Sequence, residues 1–566
     1  MSILFLTPSS SLGRSRTASA TLSFVAFLSL CAAVLWAALP ASAQLPAIAG
    51  GQPDRGRILL VQPFENRSSQ PNLEWIREAA PDLLTARFAS AGFAPMSRAD
   101  RLYAFDHLGL PMGFHPSRAS SLKLAQTLDA DSIIVGSFQT EGSTFVAEAQ
   151  IVDVPHLRMS EAVTARGDLH DLINVFDSLA WKLTRQLDPN FNGAEETFIA
   201  AGSTLKINAF EQYIRGISES DQAERQQHLN QAVKLSPNYS QAWQALGREF
   251  YTSQQYDKAA DAFAKIDRND SAYLEASFYR GVALIFSGDY PAAADAFAAV
   301  ARTLPLAVVL NNEGVSLARQ DKDATELFRK AIEADPNGAD YHFNLAVNLK
   351  HHGNDAEALK EIEQALHLRP ADTEAEALLR QWKAPANSSD LHIDPLERLE
   401  RSFDAAAFRQ AELMLDQVES LKMSALSPRE RATRLAAQGR ENLDRSLLLE
   451  AERLYLSAIE ADTTVAAAHS GLAEVRERTG DTEAAKREAR IALRLTPSSE
   501  AHLVLGRIAY AAGQRDEAST EAAEALRLAP HSFAAQQLDR QLHGGTLTPA
   551  SDAPSAVPTP VPALQQ

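Results

Sequence analysis

Residues 240–263 (SQAWQALGREFYTSQQYDKAADAF) set Trp243, Leu246, Gly247 and Phe250 at helical spacing, followed by a short polar turn, Ala259 and Phe263. Apolar residues three and four apart share one face of a helix, so the stretch reads as two short amphipathic helices folded back on each other. The small residue on the first helix lets the second approach closely, and the aromatics fill the space between neighbouring pairs. One such hairpin cannot bury its own apolar face and therefore requires neighbours. The neighbours are present: Gly281, Gly314 and Ala346 follow Gly247 at intervals close to ~34 residues. A coiled coil would need unbroken heptads, whereas proline or glycine interrupts every unit here.

The layout Trp-x2-Leu-Gly-x2-aromatic, then Ala-x3-Phe, resembles the tetratricopeptide repeat. An imperfect first unit carries Gly216 and Ala232. Clear units follow from Ser240, around Gly281, around Gly314 and from Ala339, and Thr373 opens a closing helix. After a Pro/Ser/Ala-rich break the pattern resumes, degenerate at first, then around Gly439, Ala473 and Gly506. The resemblance implies an α-solenoid in two blocks, whose concave groove is lined by the first helix of each pair and holds a partner's extended peptide or helix. On that reading the candidate partner-binding residues are Gln241, Gln244, Arg248, Tyr251, Tyr279, Asn311, Asn312, Phe343, Asn344, Val347 and Lys350. For any one of them plain solvated surface is the competing explanation. Asn312 and Asn344 match an asparagine common in the family, where it mostly stabilises the fold and sometimes reaches ligand backbone. Asn344 and Lys350 are an incomplete version of the family's carboxylate clamp, so that activity is not assigned.

Residues 1–43 read as an export signal. Arg14 and Arg16 precede an apolar run from Leu22 to Leu39, and Ala41-Ser42-Ala43 stands before Gln44. Cleavage and release, giving a periplasmic protein, is the expectation. The alternative is an uncleaved segment that anchors the chain. Lipidation at Cys31 is disfavoured by Leu30 before it and by the apolar run beyond it.

Residues 44–57 read as a linker, and 58–192 as a small α/β layer domain. Its first strand is 58–61, followed by a polar loop at 65–69. A helix from Leu73 to about Ser90 follows, with Pro81 expected to kink or interrupt it. Another helix lies within 118–128. Strand 132–138 turns at Glu141-Gly142 into an alternating strand bearing Phe145, Ala147, Ala149 and Ile151. The last helix carries Leu172, Phe176, Leu179, Leu183 and Leu187 on one stripe. The blocks 61–68 (VQPFENRS), Trp75, 130–137 (ADSIIVGS) and 149–153 (AQIVD) resemble the amino-terminal α/β domain of TolB. That resemblance implies a non-catalytic domain that docks onto envelope proteins; the β-propeller of TolB is absent. Residues 193–382 then form the first repeat array, 383–394 a linker, 395–543 the second array, and 544–566 a Pro/Ala-rich disordered tail.

The balance of 54 basic against 72 acidic residues, a formal charge of −18, disfavours nucleic acid and anionic membrane surfaces as partners. The single cysteine falls in the signal, which leaves the mature chain without a thiol for catalysis, disulfides or metal. No His-Glu-x-x-His, Gly-x-Ser-x-Gly or phosphate-binding loop occurs. His351-His352 sits where a helix should end, which accounts for it without a metal. The polar loop 65–69 follows the first strand, where α/β sheets often bind ligands, but Asn and Ser also simply make turns and cap helices, and the structural reading is preferred. The chain is thus expected to be a non-enzymatic scaffold or adaptor of the bacterial envelope, with protein partners, no cofactor and no catalytic or metal residue. An envelope-assembly chaperone, or a regulatory subunit of an envelope enzyme, is the alternative.

Overall fold

The computed structural model describes residues 58–111, 117–202, 205–384, 394–403 and 405–543. The expected signal at 1–43, the expected 44–57 linker, most of the 383–394 linker and the expected 544–566 tail lie outside the described residues.

Among the described residues, seven strands make one mixed sheet: Ile58–Val61 (β1), Glu65–Asn66 (β2), Ala94–Pro95 (β3), Ser132–Glu141 (β4), Thr144–Asp153 (β5), Arg158–Met159 (β6) and Val163–Asp168 (β7). The order is β3-β1-β4-β5-β6, with β2 beside β4 and β7 beside β5. β1 runs parallel to β3 and β4, while β4 and β5 form an antiparallel hairpin turned at Gly142, where φ is 65°. Helices Ile76–Ser90 (α1) and Leu172–Leu187 (α4) cover one face, burying Phe64, Phe138, Phe145 and Phe176. Arg98–His107 (α2) and Arg118–Thr127 (α3) cover Leu60 and Ile133 on the other. The result is a three-layer α/β/α unit.

Pro81 does not interrupt α1, contrary to the expectation from sequence. Proline removes the N–H that would have bonded the Arg77 carbonyl four residues back. The Phe64 N–H, from the loop after β1, takes that carbonyl at 3.1 Å, so no buried acceptor is left unpaired. α2 was not foreseen. It begins at Ser97, whose hydroxyl accepts from the Asp100 N–H while the Asp100 carboxylate accepts from the Ser97 N–H, a reciprocal cap with aspartate in place of the usual Glu or Gln.

Beyond Glu195–Gly202 (α5) the described chain is helical except for one extended segment. The first block pairs Ile207–Ser218 (α6) with Gln222–Leu235 (α7), Ser240–Thr252 (α8) with Tyr256–Phe263 (α9), and Tyr273–Ser287 (α10) with Tyr290–Ala301 (α11). It continues with Ala307–Ala318 (α12) and Thr325–Ala334 (α13), then Ala339–His351 (α14) and Asp355–Leu368 (α15), and closes with Thr373–Lys383 (α16). A single long helix, Ala405–Ser424 (α17), precedes the second block. There Pro428–Asp444 (α18) pairs with Leu448–Ala461 (α19), Ala466–Thr479 (α20) with Thr482–Leu495 (α21), and Ser499–Ala511 (α22) with Arg515–Leu528 (α23), ending in Phe533–Leu542 (α24). Each helix pair is a turn-linked antiparallel hairpin, and no described helix is long and apolar enough to cross a membrane.

The sheet and the helical blocks are not separate bodies. One continuous core runs from Leu59 and Phe176 through Phe210, Tyr213 and Leu229 of the first pair to Leu246 on α8, and includes Leu449 from the second block. The second block also closes polar contacts with earlier segments. Glu452 on α19 is 1% exposed, pairs with Arg476 on α20 at 2.6 Å and accepts the Ala194 N–H at the amino end of α5. Arg445 donates to the Asn269 carbonyl at 2.7 Å.

Candidate peptide groove

Residues 394–403 (DPLERLERSF) form no helix. They run extended over the first helices of the first block, with their amino end over α14 and α16 and their carboxyl end over α10 and α8. The strap therefore runs against the order of the repeats.

Its main chain is held by side-chain amides. Asn344 donates from Nδ2 to the Arg398 carbonyl at 2.8 Å and accepts the Arg398 N–H on Oδ1 at 2.6 Å. Asn312 makes the same pair of bonds with Glu400, at 2.8 and 3.1 Å. Alternate residues of an extended chain point their N–H and C=O the same way, so two amides about one repeat apart each engage one residue of the pair 398 and 400 as a β-ladder neighbour would. Asn311 supports both: its Nδ2 donates to the Arg398 carbonyl at 3.1 Å and its Oδ1 accepts from Asn344 at 2.7 Å. Further along, the Tyr251 hydroxyl donates to the Arg401 carbonyl at 3.3 Å, and the Phe403 N–H donates to the Tyr279 hydroxyl at 3.4 Å.

Side chains of the strap are held just as closely. The Arg398 guanidinium lies 3.6 Å from the centroid of the Phe343 ring and bonds Asp340, Asp372 and Glu374, each at 2.9 Å. Planar stacking combined with carboxylate bonds at the guanidinium edge is the geometry arginine satisfies and lysine does not. Burial lowers the proton affinity of this guanidinium, but the three carboxylates outweigh it and leave it above the ordinary arginine value. The hydrogen bonds from Arg398 hold the Asp372 carboxyl below its usual range. Arg319 donates to the Glu397 carboxylate at 2.8 Å and to its carbonyl at 3.1 Å. Phe403 enters an aromatic cluster with Phe278, Tyr279 and Phe408.

Of the residues expected to meet a partner, the fold brings Tyr251, Tyr279, Asn311, Asn312, Phe343 and Asn344 together around this segment. Val347 is buried beside Phe343. Lys350 pairs with Asp355 at 3.0 Å and lies over Trp382. Gln244 and Arg248 bond Glu275, and Gln241 is exposed near the first turn of α8. Sequence reasoning missed Arg319, Asp340, Asp372, Glu374 and the strap itself. A charged residue on a helix face carries no local mark of what will reach it from a distant part of the chain.

Elsewhere, Asn66 in the 65–69 loop accepts the Ser68 N–H at 2.9 Å and so makes a local turn. Glu65 and Arg67 border a cleft of about 370 Å3 on the open part of the sheet. No cluster of metal-ligating side chains occurs among the described residues.

A family model described as tetratricopeptide repeat matches residues 244–307, 322–373 and 470–533. These stretches are tetratricopeptide repeats. The first two belong to the groove-forming block and the third to the second block. Among solved structures, a crystal structure of MamA is 19% identical, with 29% of this chain and 96% of that one covered and a TM-score of 0.26. YrrB, described as a TPR protein with an unusual peptide-binding site, is 16% identical over 36% of this chain and 98% of its own, with a TM-score of 0.26. The LpoB C-terminal domain from Salmonella enterica is 18% identical over 20% of this chain and 83% of that one, at a TM-score of 0.18. No curated protein matches the chain.

Proposed function

We propose that this chain is an exported, non-catalytic interaction scaffold of the bacterial cell envelope, with the concave groove of its first repeat block as a site for an extended peptide. One observation supports the groove reading above the others: Asn344 and Asn312 each engage both the N–H and the C=O of one residue in an extended strand. Such paired amides recognise backbone whatever the side chains, which is how a scaffold holds a segment of another protein. The reading as an exported protein rests on the amino-terminal pattern of Arg14, Arg16, the 22–39 apolar run and Ala41-Ser42-Ala43. On this reading the α/β unit is a second docking surface, and the blocks hold it in fixed relation to the groove through the shared core.

The test uses the whole chain, because that core would be cut by expressing either part alone. Tagged protein is expressed in its host, fractionated, and cross-linked in envelope extract, with an N312A/N344A version beside it. The expected result is a mature mass beginning at Gln44, a periplasmic location, and an envelope protein recovered by the parent and lost from the double variant. A chain that stays in the cytoplasm with residues 1–43 intact defeats the envelope assignment.

A further inference from the structure

We propose that the Phe343–Asp340–Asp372–Glu374 cage is an arginine-selective subsite, and that residues 394–403 are its resident ligand in cis, displaced when a partner presents an extended segment bearing arginine in the same position. This deepens the groove reading above and rests on it.

The contacts between groove and strap fall into two kinds. Those from Asn311, Asn312, Asn344, Tyr251 and Tyr279 reach main-chain atoms and would serve any extended peptide. Besides Arg401, which lies 5.0 Å from the centroid of the Phe286 ring, selectivity comes from three side chains of the strap: Glu397 on Arg319, Arg398 in the cage, and Phe403 among aromatic rings. The partner chemistry is accordingly an extended Glu-Arg pair with an aromatic residue five positions after the arginine. Arginine is the most discriminating of the three, because it alone has both a stacked face and carboxylates at its edge.

The cage does not depend on Arg398 to exist. Arg369 bonds Asp340 through both of its outer nitrogens, at 2.7 and 2.9 Å, and lies 3.9 Å from Asp372. Asp372 also caps α16 by accepting the Ala375 N–H at 3.1 Å. Glu374 is 46% exposed and stays hydrated. With Arg398 gone, each carboxylate keeps a cation, a backbone donor or water, so no buried charge is stranded. The strap itself belongs to no sheet and no helix; its departure breaks no ladder. These are the properties of an exchangeable ligand. A tethered segment faces its site at an effective concentration on the order of mM for a short linker. A peptide arriving from solution therefore meets a groove open only a fraction of the time, and its apparent affinity falls by that fraction.

The probe is a fluorescein-labelled decapeptide of sequence DPLERLERSF, followed by anisotropy against the full chain, R398A, and R398A/N344A. The R398A chain, with its strap loosened and cage intact, should bind the peptide at least tenfold more tightly than the parent. A peptide with alanine at its arginine in position five should lose that binding, and so should R398A/N344A. Equal binding by the parent and a folded R398A, or equal binding of the alanine peptide, overturns the proposal and makes the strap a fixed tie. Hydrogen exchange on the parent gives a readout that needs no variant: saturating peptide should speed exchange at the Arg398 and Glu400 amides, and unchanged protection again overturns it. Light scattering covers the remaining occupant. A dimer that the peptide converts to monomer would show the strap seated in a second copy, which overturns the assignment in cis. None of these arms uses an envelope partner, so peptide binding here with an empty pull-down defeats the envelope reading alone.

Discussion

Asn311, Asn312 and Asn344 are all 0–1% exposed, and a buried amide is tolerated only when its donors and acceptor are bonded. Here the bonds come from one another and from the backbone at 398 and 400, so the strap completes a polar network the helices leave open. Asp82 is a different case, a half-buried carboxyl between charged neighbours. Burial pushes its carboxyl up to about 6, against the pull of Arg98; Glu78 pushes the same way, and Arg101 and the Tyr213 hydroxyl oppose it. A carboxyl whose folded pKa is raised contributes stability that is complete below its unfolded value and is lost as pH rises through the folded one. The neutral amide of a D82N chain resembles the protonated acid and carries no such penalty. The variant should therefore gain on the parent between pH 4 and pH 7, by on the order of 2–3 kcal/mol. Urea midpoints at the two pH values measure this, and a gap that does not change with pH would mean Asp82 is ionised against Arg98 throughout.

The repeat element works through one contact made several times. A Cβ on Gly247, Gly281, Gly314 or Gly439 would lie 2.7 to 2.8 Å from the ring of Phe263, Phe297, Phe328 or Tyr455 on the paired helix. Glycine within a helix costs about 1 kcal/mol relative to alanine, so the close helix crossing must return more than that. G281A tests the balance. The helix gains its propensity, the fully buried Phe297 ring is displaced, and overpacking of this kind costs about 1–3 kcal/mol. Net destabilisation by roughly 1 kcal/mol is expected in urea unfolding; a more stable variant would show that the hairpin has slack. α1 makes a related point: its proline is accommodated because the loop after β1 supplies the missing donor.

At the scale of the whole molecule, Glu452 joins the second block to the segment after the sheet. Burial raises its carboxyl, and Arg476 and the Ala194 N–H oppose that rise. Replacing it by alanine strands Arg476 and uncaps α5. Breaking one side of a buried pair costs about 3–5 kcal/mol. E452A should therefore loosen the second block from the α/β unit, read as faster hydrogen exchange in α5 and α19 and faster proteolysis near Gly193. If exchange rises only within α20, the pair serves its own block and the join is held by Leu449 and the surrounding core.

What the sequence determined by itself is whatever local spacing encodes. The hairpins follow from apolar residues at helical spacing with a small residue and an aromatic at set positions. The β4–β5 hairpin follows from alternation around Gly142, and the α4 stripe from leucines on one face. These signals span a few residues and need no knowledge of the rest of the chain. α2 was within reach, since the Ser97–Asp100 cap is local, but aspartate stands where Glu or Gln is usual. The path of residues 394–403 was not legible. Leu, Glu and Arg are good helix formers, and nothing nearby forbids a helix after Pro395. The extended form is imposed by Asn344, 54 residues away, and Asn312, 88 residues away, together with the cage under Arg398. Those bonds exist only once the first block has folded and set its asparagines along one groove. Tertiary structure alone decided that the groove is filled and that the second block closes on α5, because both rest on contacts whose energy no short window contains.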